Sequence, residues 1–368
     1  MAVPQKKILL ISPSSGRGGA ESILLEMIDT LSNQFDVYLL THRGENNLLT
    51  DNRKVKHVYI TKLFNGALEI NIDLLNLLLF PVGLIKNFFL TCYIIKKENI
   101  DLVIGNSSTI IYPGLAAKVC GKKMLTIFHE MIENVFLRNV VFRINDICCD
   151  RLIFNSKFLL AKFLKSKKAE VITIGLHRDK FNKLTAIKRK QRKILTIGQI
   201  GKIYRTKGTD FLVQIAREVS FEGGINFKVY GDILDRQFFT KIKEFINDEK
   251  LANIIEFEMY KDIEIILQEV DVVLVTSRFE TFGMVAIEAM AAGITVISFK
   301  VGIATEIIEN GKNGFLVDNY DTKKMAEIIL NIKNGKIDID QIGKNARAAI
   351  ENKFIGSFAE KLVNTLTE

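Results

Sequence analysis

The stretch FETFGMVAIEAMAAG, Phe279 to Gly293, lies between two apolar runs, VDVVLVTS (270–277) and ITVISF (294–299). Both runs are continuously apolar rather than alternating, as in parallel strands covered on both faces. The stretch between them reads as a strand-to-helix turn and a short helix. That helix starts near Gly283 or Met284 and stops at Gly293, a residue suited to the position just past a helix end. Glu280 then falls in the loop, and Glu288 about one turn into the helix. The backbone N–H groups of Gly283, Met284 and Val285 open the helix, with the positive end of its dipole behind them. Such a mouth suits a phosphate, and Gly283 permits close approach to the backbone. Carboxylates beside an anion site would hold hydroxyls rather than the anion, and a ribose–diphosphate–hexose molecule has that layout. The plain alternative is that Glu280 and Glu288 only complement the dipole, and that AMAAG is tight helix–sheet packing.

The same strand–helix grammar extends in both directions. KILLIS (7–12), FDVYLL (35–40), DLVIGN (101–106), MLTIFHE (124–130), RLIFNS (151–156) and EVITIG (170–175) read as strands, with a helix over 20–32. Residues 177–193 are polar and basic and read as a linker. A second series follows with KILTIG (193–198), a helix over 208–220, NFKVYGD (226–232), IIEFE (254–258), the quoted stretch and GFLVD (314–318). Residues 321–333 and 341–352 and the C-terminal FAEKLVNTLTE read as helices. The expectation is α/β, with two doubly wound domains over 1–180 and 181–350. Residues 351–368 form a last helix that packs back on the first domain. Sheets of this kind bind ligands at the carboxyl ends of their strands, so chemistry is expected in the strand-to-helix turns, in a cleft between the domains.

Composition sets outer bounds. The chain has 368 residues, enough for two ordinary cores, and a formal net charge of +9. That balance favours anionic partners such as nucleotides, phosphates or acidic lipids. There is no Trp, Tyr numbers only 8, and no nucleic-acid-binding signature appears, so nucleic acid is not an expected partner. The four Cys (92, 120, 148 and 149) show no metal or disulfide spacing, and the start MAVPQKKILLIS lacks the pattern of a signal peptide. A reducing, cytoplasmic setting is expected. Residues 74–96 are long and apolar enough to suggest a membrane span. Asn76, Pro81, Gly83, Lys86 and Asn87 interrupt them, which favours a buried helix or one lying on a membrane surface. NSKFLLAKFLKSKK (155–168) reads as a basic amphipathic helix, either a solvated face over a core stripe or an attachment to anionic lipid.

The quoted stretch has the form E-x-F-G-(four residues)-E-A-M-A-x-G. It resembles the signature of the retaining glycosyltransferases of family 4, of GT-B fold. Glu280, Phe282, Gly283, Glu288, Ala289, Met290, Ala291 and Gly293 match, and Thr295 stands where Pro is usual. VGIATEIIENGKNGFLVD (301–318) continues the resemblance, with Ile303 in place of a common second Gly. SSGRGGAES (14–22) resembles the family's Gly-Gly-x-E loop through Gly18, Gly19 and Glu21. The competing dinucleotide fingerprint would need a third Gly where Glu21 stands, an anion where pyrophosphate should rest. IGQIGKIYRTKGTD (197–210) resembles the loop that opens the second domain. Lys207 and Gly208 match, and Gln199 occupies the position of an Arg. ITIGLHRDKF (172–181) is similar to the interdomain turn, with Ile174 and His177 replacing Asn and Asp.

The resemblance implies a retaining transfer of a hexose from a nucleotide diphosphate sugar to a glycan or lipid-linked acceptor, in surface polysaccharide or glycolipid assembly. It implies Arg205, Lys207, Phe282, Gly283, Met284, Val285 and Glu288 as donor-binding residues, Glu280, His129 and Lys207 as catalytic ones, and Gly18, Gly19 and Glu21 as an acceptor-side loop. The leaving phosphate oxygen would take the acceptor's proton. Neither a cofactor nor a metal ion is implied, and DID (338–340) reads as a helix cap rather than a metal motif. A cytoplasmic protein, peripheral on the inner face of the cell membrane, would suit that role. A nucleotide-sugar epimerase of the same fold and a non-catalytic subunit share the same residues.

Overall fold

The computed structural model describes residues 5–13, 19–42, 54–61, 74–132, 134–188 and 193–367; the side chains of 19–22, 74–80 and 367 lie outside that description. The chain divides into two units, Met1–Ile174 with Ser357–Glu368, and Gly175–Gly356. The sequence reading put the change of domain at 180/181, six residues later.

The first unit runs β1 (Lys7–Ser12), α1 (Gly19–Leu31), β2 (Asp36–His42), β3 (His57–Thr61), α2 (Leu74–Glu98), β4 (Leu102–Gly105), α3 (Tyr112–Val119), β5 (Lys123–Phe128), α4 (Val135–Cys148), β6 (Arg151–Phe154), α5 (Lys157–Leu160) and β7 (Ala169–Val171). The second runs α6 (Arg178–Thr185), β8 (Leu195–Ile200), α7 (Thr209–Val219), β9 (Ile225–Tyr230), α8 (Arg236–Asp248), β10 (Ile255–Glu258), α9 (Ile263–Glu269), β11 (Val272–Val275), α10 (Met284–Ala291), β12 (Thr295–Phe299), α11 (Ala304–Ile307), β13 (Phe315–Val317), α12 (Thr322–Lys333) and α13 (Ile339–Lys353). The last helix, α14 (Phe358–Thr367), belongs to the first unit.

Each unit holds one parallel sheet, in the orders β3-β2-β1-β4-β5-β6-β7 and β10-β9-β8-β11-β12-β13. The order reverses between β1 and β4 and between β8 and β11. Ligands of doubly wound sheets bind outside the strand ends at such points. Leu9, Ile11, Leu40, Val103 and Phe128 lie in the first core, and Ile197, Phe227, Val272, Leu274 and Ile297 in the second. These are the continuous apolar runs of the sequence.

Three sequence expectations are corrected. The amphipathic helix over 155–168 shrinks to α5 (Lys157–Leu160), capped by the Ser156 hydroxyl. The chain then leaves the helical path. Phe163 enters an aromatic cluster with Phe128, Phe142 and Phe154, its ring 5.2 Å from that of Phe128, and Ser166 donates to Asp146 at 2.5 Å. The linker over 177–193 contains α6, which buries Phe181 and Leu184; its two apolar residues sit three apart, enough to dock one helix face. The strand expected at 170–175 is the shorter β7, and β3, flanked by polar residues, was not anticipated. The DID stretch is a cap, with the Asp338 carboxylate accepting from the amides of Asp340 and Gln341.

The C-terminal helix closes the first core. Phe358, Ala359 and Leu362 on α14 are fully buried, the Ser357 hydroxyl donates to the Glu26 carboxylate of α1, and Arg151 donates to the Thr365 carbonyl at 2.7 Å. At the carboxyl end of β5, His129 is buried, and its Nε2 donates to the Asn106 side chain at 2.9 Å. Burial pushes its pKa down to about 4.

Two outcomes follow from these contacts. Phe358→Ala should cost about 3–5 kcal/mol in the unfolding of the first unit and leave the second unit's transition in place, as read by calorimetry. His129 holds its proton less tightly when folded than when unfolded, so its contribution to stability is present above pH 6.5 and fades as pH falls toward 4. Wild type should therefore lose about 3 kcal/mol more than His129→Gln between pH 7 and pH 4 in urea titrations.

Candidate functional site

The switch point of the second unit gathers most of the residues singled out in sequence. β8 ends at Ile200, and the chain returns through a 3-10 turn, Arg205–Lys207, into α7. β11 ends at Val275 and leads through 276–283 into α10. These two loops are held against each other at Gly208. Its φ is +68°, and a Cβ there would lie 2.0 Å from the Thr276 carbonyl oxygen, so only glycine fits. Gln199 fastens the same junction. Its side-chain nitrogen donates to the Lys207 carbonyl at 3.0 Å and to the Thr276 hydroxyl at 2.7 Å. Its side-chain oxygen is buried and has no partner among the described groups. Gln199 is thus a brace for the turn and brings no positive charge to the site.

The brace presents Lys207 to Glu280. The ammonium lies 2.5 Å from Glu280 Oε1, and the Ser277 hydroxyl donates to the same oxygen at 2.8 Å. Burial pulls the Lys207 pKa down, but the Glu280 charge and hydrogen bond outweigh it and leave it above the ordinary value. The lysine is therefore charged at neutral pH. Gly283, at φ +92°, turns the chain into α10, with the Glu280 side chain against it. The N–H groups of Gly283, Met284 and Val285 stand at the mouth of the helix, where no preceding turn can accept from them. The opposite side of the loop is fixed by the Ile303 amide, which donates to the Phe282 carbonyl at 2.7 Å.

Glu288 is buried on α10, and its Oε1 is paired with the Lys180 ammonium from α6. Burial lowers the Lys180 pKa, while Glu288 raises it by more. Sequence reasoning missed Lys180 because it treated the surrounding basic residues as a solvated connection. The available signal was its place in the turn that resembles the family's interdomain segment. Arg278 was missed as well. It forms a bidentate pair with Asp210 at 2.6 and 2.8 Å and stacks over Phe211.

The other expected residues fall in three places. Phe282 has its ring in the core and is 5% exposed, so it offers the loop its backbone. Arg205 lines a cavity of about 490 Å³ with Asp210, Asp235, Phe238 and Lys241, which Lys207, Glu280 and Glu288 do not line. His129 lies in the first unit, where Gly19 and Glu21 open α1; Gly18 and the Glu21 side chain lie outside the described residues. Among the described residues, no cluster of His, Cys, Asp and Glu has the arrangement to hold a metal ion.

Residues 178–349 match the family described as glycosyl transferases group 1. Among curated proteins, the chain is similar to the poly(ribitol-phosphate) alpha-N-acetylglucosaminyltransferase of Staphylococcus aureus, at 29% identity over 172 residues, 46% of this chain and 34% of that protein. It is also similar to the capsular polysaccharide biosynthesis glycosyltransferase CapM of Staphylococcus aureus, at 28% identity over 211 residues, 54% of each chain. The similarity thus spans about a third to a half of these relatives' length. Among solved structures, HepE of Anabaena, crystallised with UDP, superimposes with a TM-score of 0.79 at 20% identity, covering 98% of this chain and 99% of that one. TarM superimposes with a TM-score of 0.73 at 15% identity, covering 98% of each. Residues 178–349 thus match the glycosyl transferases group 1 model, and the chain has the GT-B fold.

Proposed function

We propose that the protein is a glycosyltransferase that moves a hexose from a nucleotide diphosphate sugar to a glycan or lipid-linked acceptor, with retention and without a metal ion. The observation that carries this reading is the meeting of Lys207, Glu280 and the open end of α10 at the switch point of the second sheet. Curated relatives named for poly(ribitol-phosphate) glycosylation and capsular polysaccharide biosynthesis support surface polysaccharide assembly as the setting, and the UDP complex of HepE supports a nucleotide donor.

In this reading the diphosphate rests on the amides of Gly283 to Val285 and on Lys207. Negative charge grows on it as the glycosidic bond breaks, so preorganised donors there lower the barrier most. Glu280 then takes hydroxyls of the sugar and fixes the anomeric carbon toward the acceptor. Glu288, a turn into α10, takes the ribose hydroxyls. Each glutamate neutralises a lysine. The donor must exchange Lys207 from a carboxylate to its own phosphates, and Lys180 keeps Glu288 in place. His129 and the Gly18, Gly19 and Glu21 loop belong to the acceptor side, and Arg205 follows as an outer cation for the diphosphate.

The exchange makes a directional prediction. Glu280→Gln should bind the preferred nucleoside diphosphate, chosen among UDP, GDP and ADP by calorimetry, about fivefold more tightly than wild type. It should also lower turnover by a hundredfold or so. Glu288→Ala should weaken that binding about tenfold by removing the ribose contact, and Lys180→Met by about as much because buried Glu288 is left unpaired. Unchanged affinity in all three variants would overturn the reading. Sugar release or epimerisation at full rate without acceptor would move the chemistry to an epimerase.

A further inference from the structure

Two helices of the first unit expose apolar rows that no described residue covers. On α4, Val135, Phe136, Val140 and Ile147 are exposed, Phe136 by 78%, and they recur at helical spacing along one face. On α2, Val82, Ile85, Phe89 and Tyr93 repeat the pattern, with Phe89 65% exposed. The helices are neighbours. Leu84 of α2 and Leu137 and Ile144 of α4 pack on one small cluster of Ile111, Ile132 and Val141. Single exposed apolar side chains are ordinary, whereas contiguous rows mark an interaction surface. Leu164 extends the α4 row into a groove shared with Phe136, Val140, Ile144 and Ile147.

The charges within these rows are positive. Arg143 is exposed within the α4 row, Lys86 within the α2 row, and Lys157, Lys162, Lys165 and Lys167 on the segment that carries Leu164. No Asp or Glu occurs in 74–97, 134–145 or 151–169. Asp146 and Asp150, the acids between the last two stretches, are engaged by the Ser166 hydroxyl and the Met124 amide. Among the described residues no helix is long and apolar enough to cross a membrane, so the rows can lie on a bilayer but not span it. Apolar side chains at the acyl boundary, with lysine and arginine stems reaching back to headgroups, suit a surface of anionic lipid. A second copy of this chain would bring the same cations face to face.

We infer that the exposed faces of α4 and α2, with the lysines of 157–167, dock the protein on an anionic membrane surface. The test is pelleting of the full-length protein with vesicles of phosphatidylcholine alone and of phosphatidylcholine mixed with phosphatidylglycerol. Wild type should pellet with the mixed vesicles only and detach as salt rises. Phe136→Ser/Val140→Ser should lower the partition coefficient at least about tenfold, and Arg143→Gln/Lys162→Gln/Lys165→Gln roughly a hundredfold. Phe221→Ser, equally exposed in the second unit, should leave it unchanged. Equal pelleting with both vesicles, no pelleting at all, a like effect of Phe221→Ser, or a solution dimer abolished by Phe136→Ser would overturn the inference. Vesicle binding needs no donor, so its failure leaves the donor reading standing, and the reverse also holds.

Discussion

One close approach governs the second unit's site: the Thr276 carbonyl lies where a side chain on residue 208 would begin. Two loops from strands that adjoin at the switch point can touch there only through glycine. The Gln199 amide bridges the same two loops from below, bonding one backbone carbonyl and one hydroxyl. A lysine side chain on a free loop has several rotors and no fixed target. Anchored next to this junction, Lys207 has its ammonium held within hydrogen-bond reach of Glu280. The order of this turn therefore comes from backbone packing, and the charges are arranged on top of it.

The pairing of these charges has a physical reason. A carboxylate or an ammonium removed from water without a partner is costly, and the penalty exceeds that of an unmade neutral hydrogen bond. Glu288 is buried and Glu280 nearly so, and each is covered by one lysine. With these two pairs the site is close to electrically neutral. Under the proposed function, selectivity for a diphosphate would depend on how readily one lysine can turn from carboxylate to phosphate, rather than on a standing positive field.

Much of this was legible in the residues. Strands such as Lys7–Ser12 and Val272–Val275 are apolar on both faces because parallel sheets are covered on both sides, so their pattern survives without tertiary knowledge. The helix at Met284–Ala291 was legible from its flanking glycines. What failed were segments whose conformation depends on distant partners. The 155–168 segment has helical spacing, yet Phe163 is drawn out of register by rings on β5, α4 and β6. Residues 178–185 look solvated until Phe181 and Leu184 find a core. Lys180 escaped notice for the same reason, since its function as a partner of Glu288 exists only across 108 positions of chain. Gln199 showed only as a departure from the expected arginine, because its bracing bonds go to backbone and hydroxyl groups.

The first unit is discontinuous in sequence, since its core is finished by α14. During synthesis the segment bearing Phe358 and Leu362 leaves the ribosome only after the whole Gly175–Gly356 unit. The Gly175–Gly356 unit is by then fully available and can fold as a body of its own. The N-terminal half must wait, with its sheet assembled but one flank bare, until α14 emerges. The two halves thus mature in the reverse of their genetic order, and a nascent chain stalled before residue 357 would expose the apolar side of α1 to chaperones.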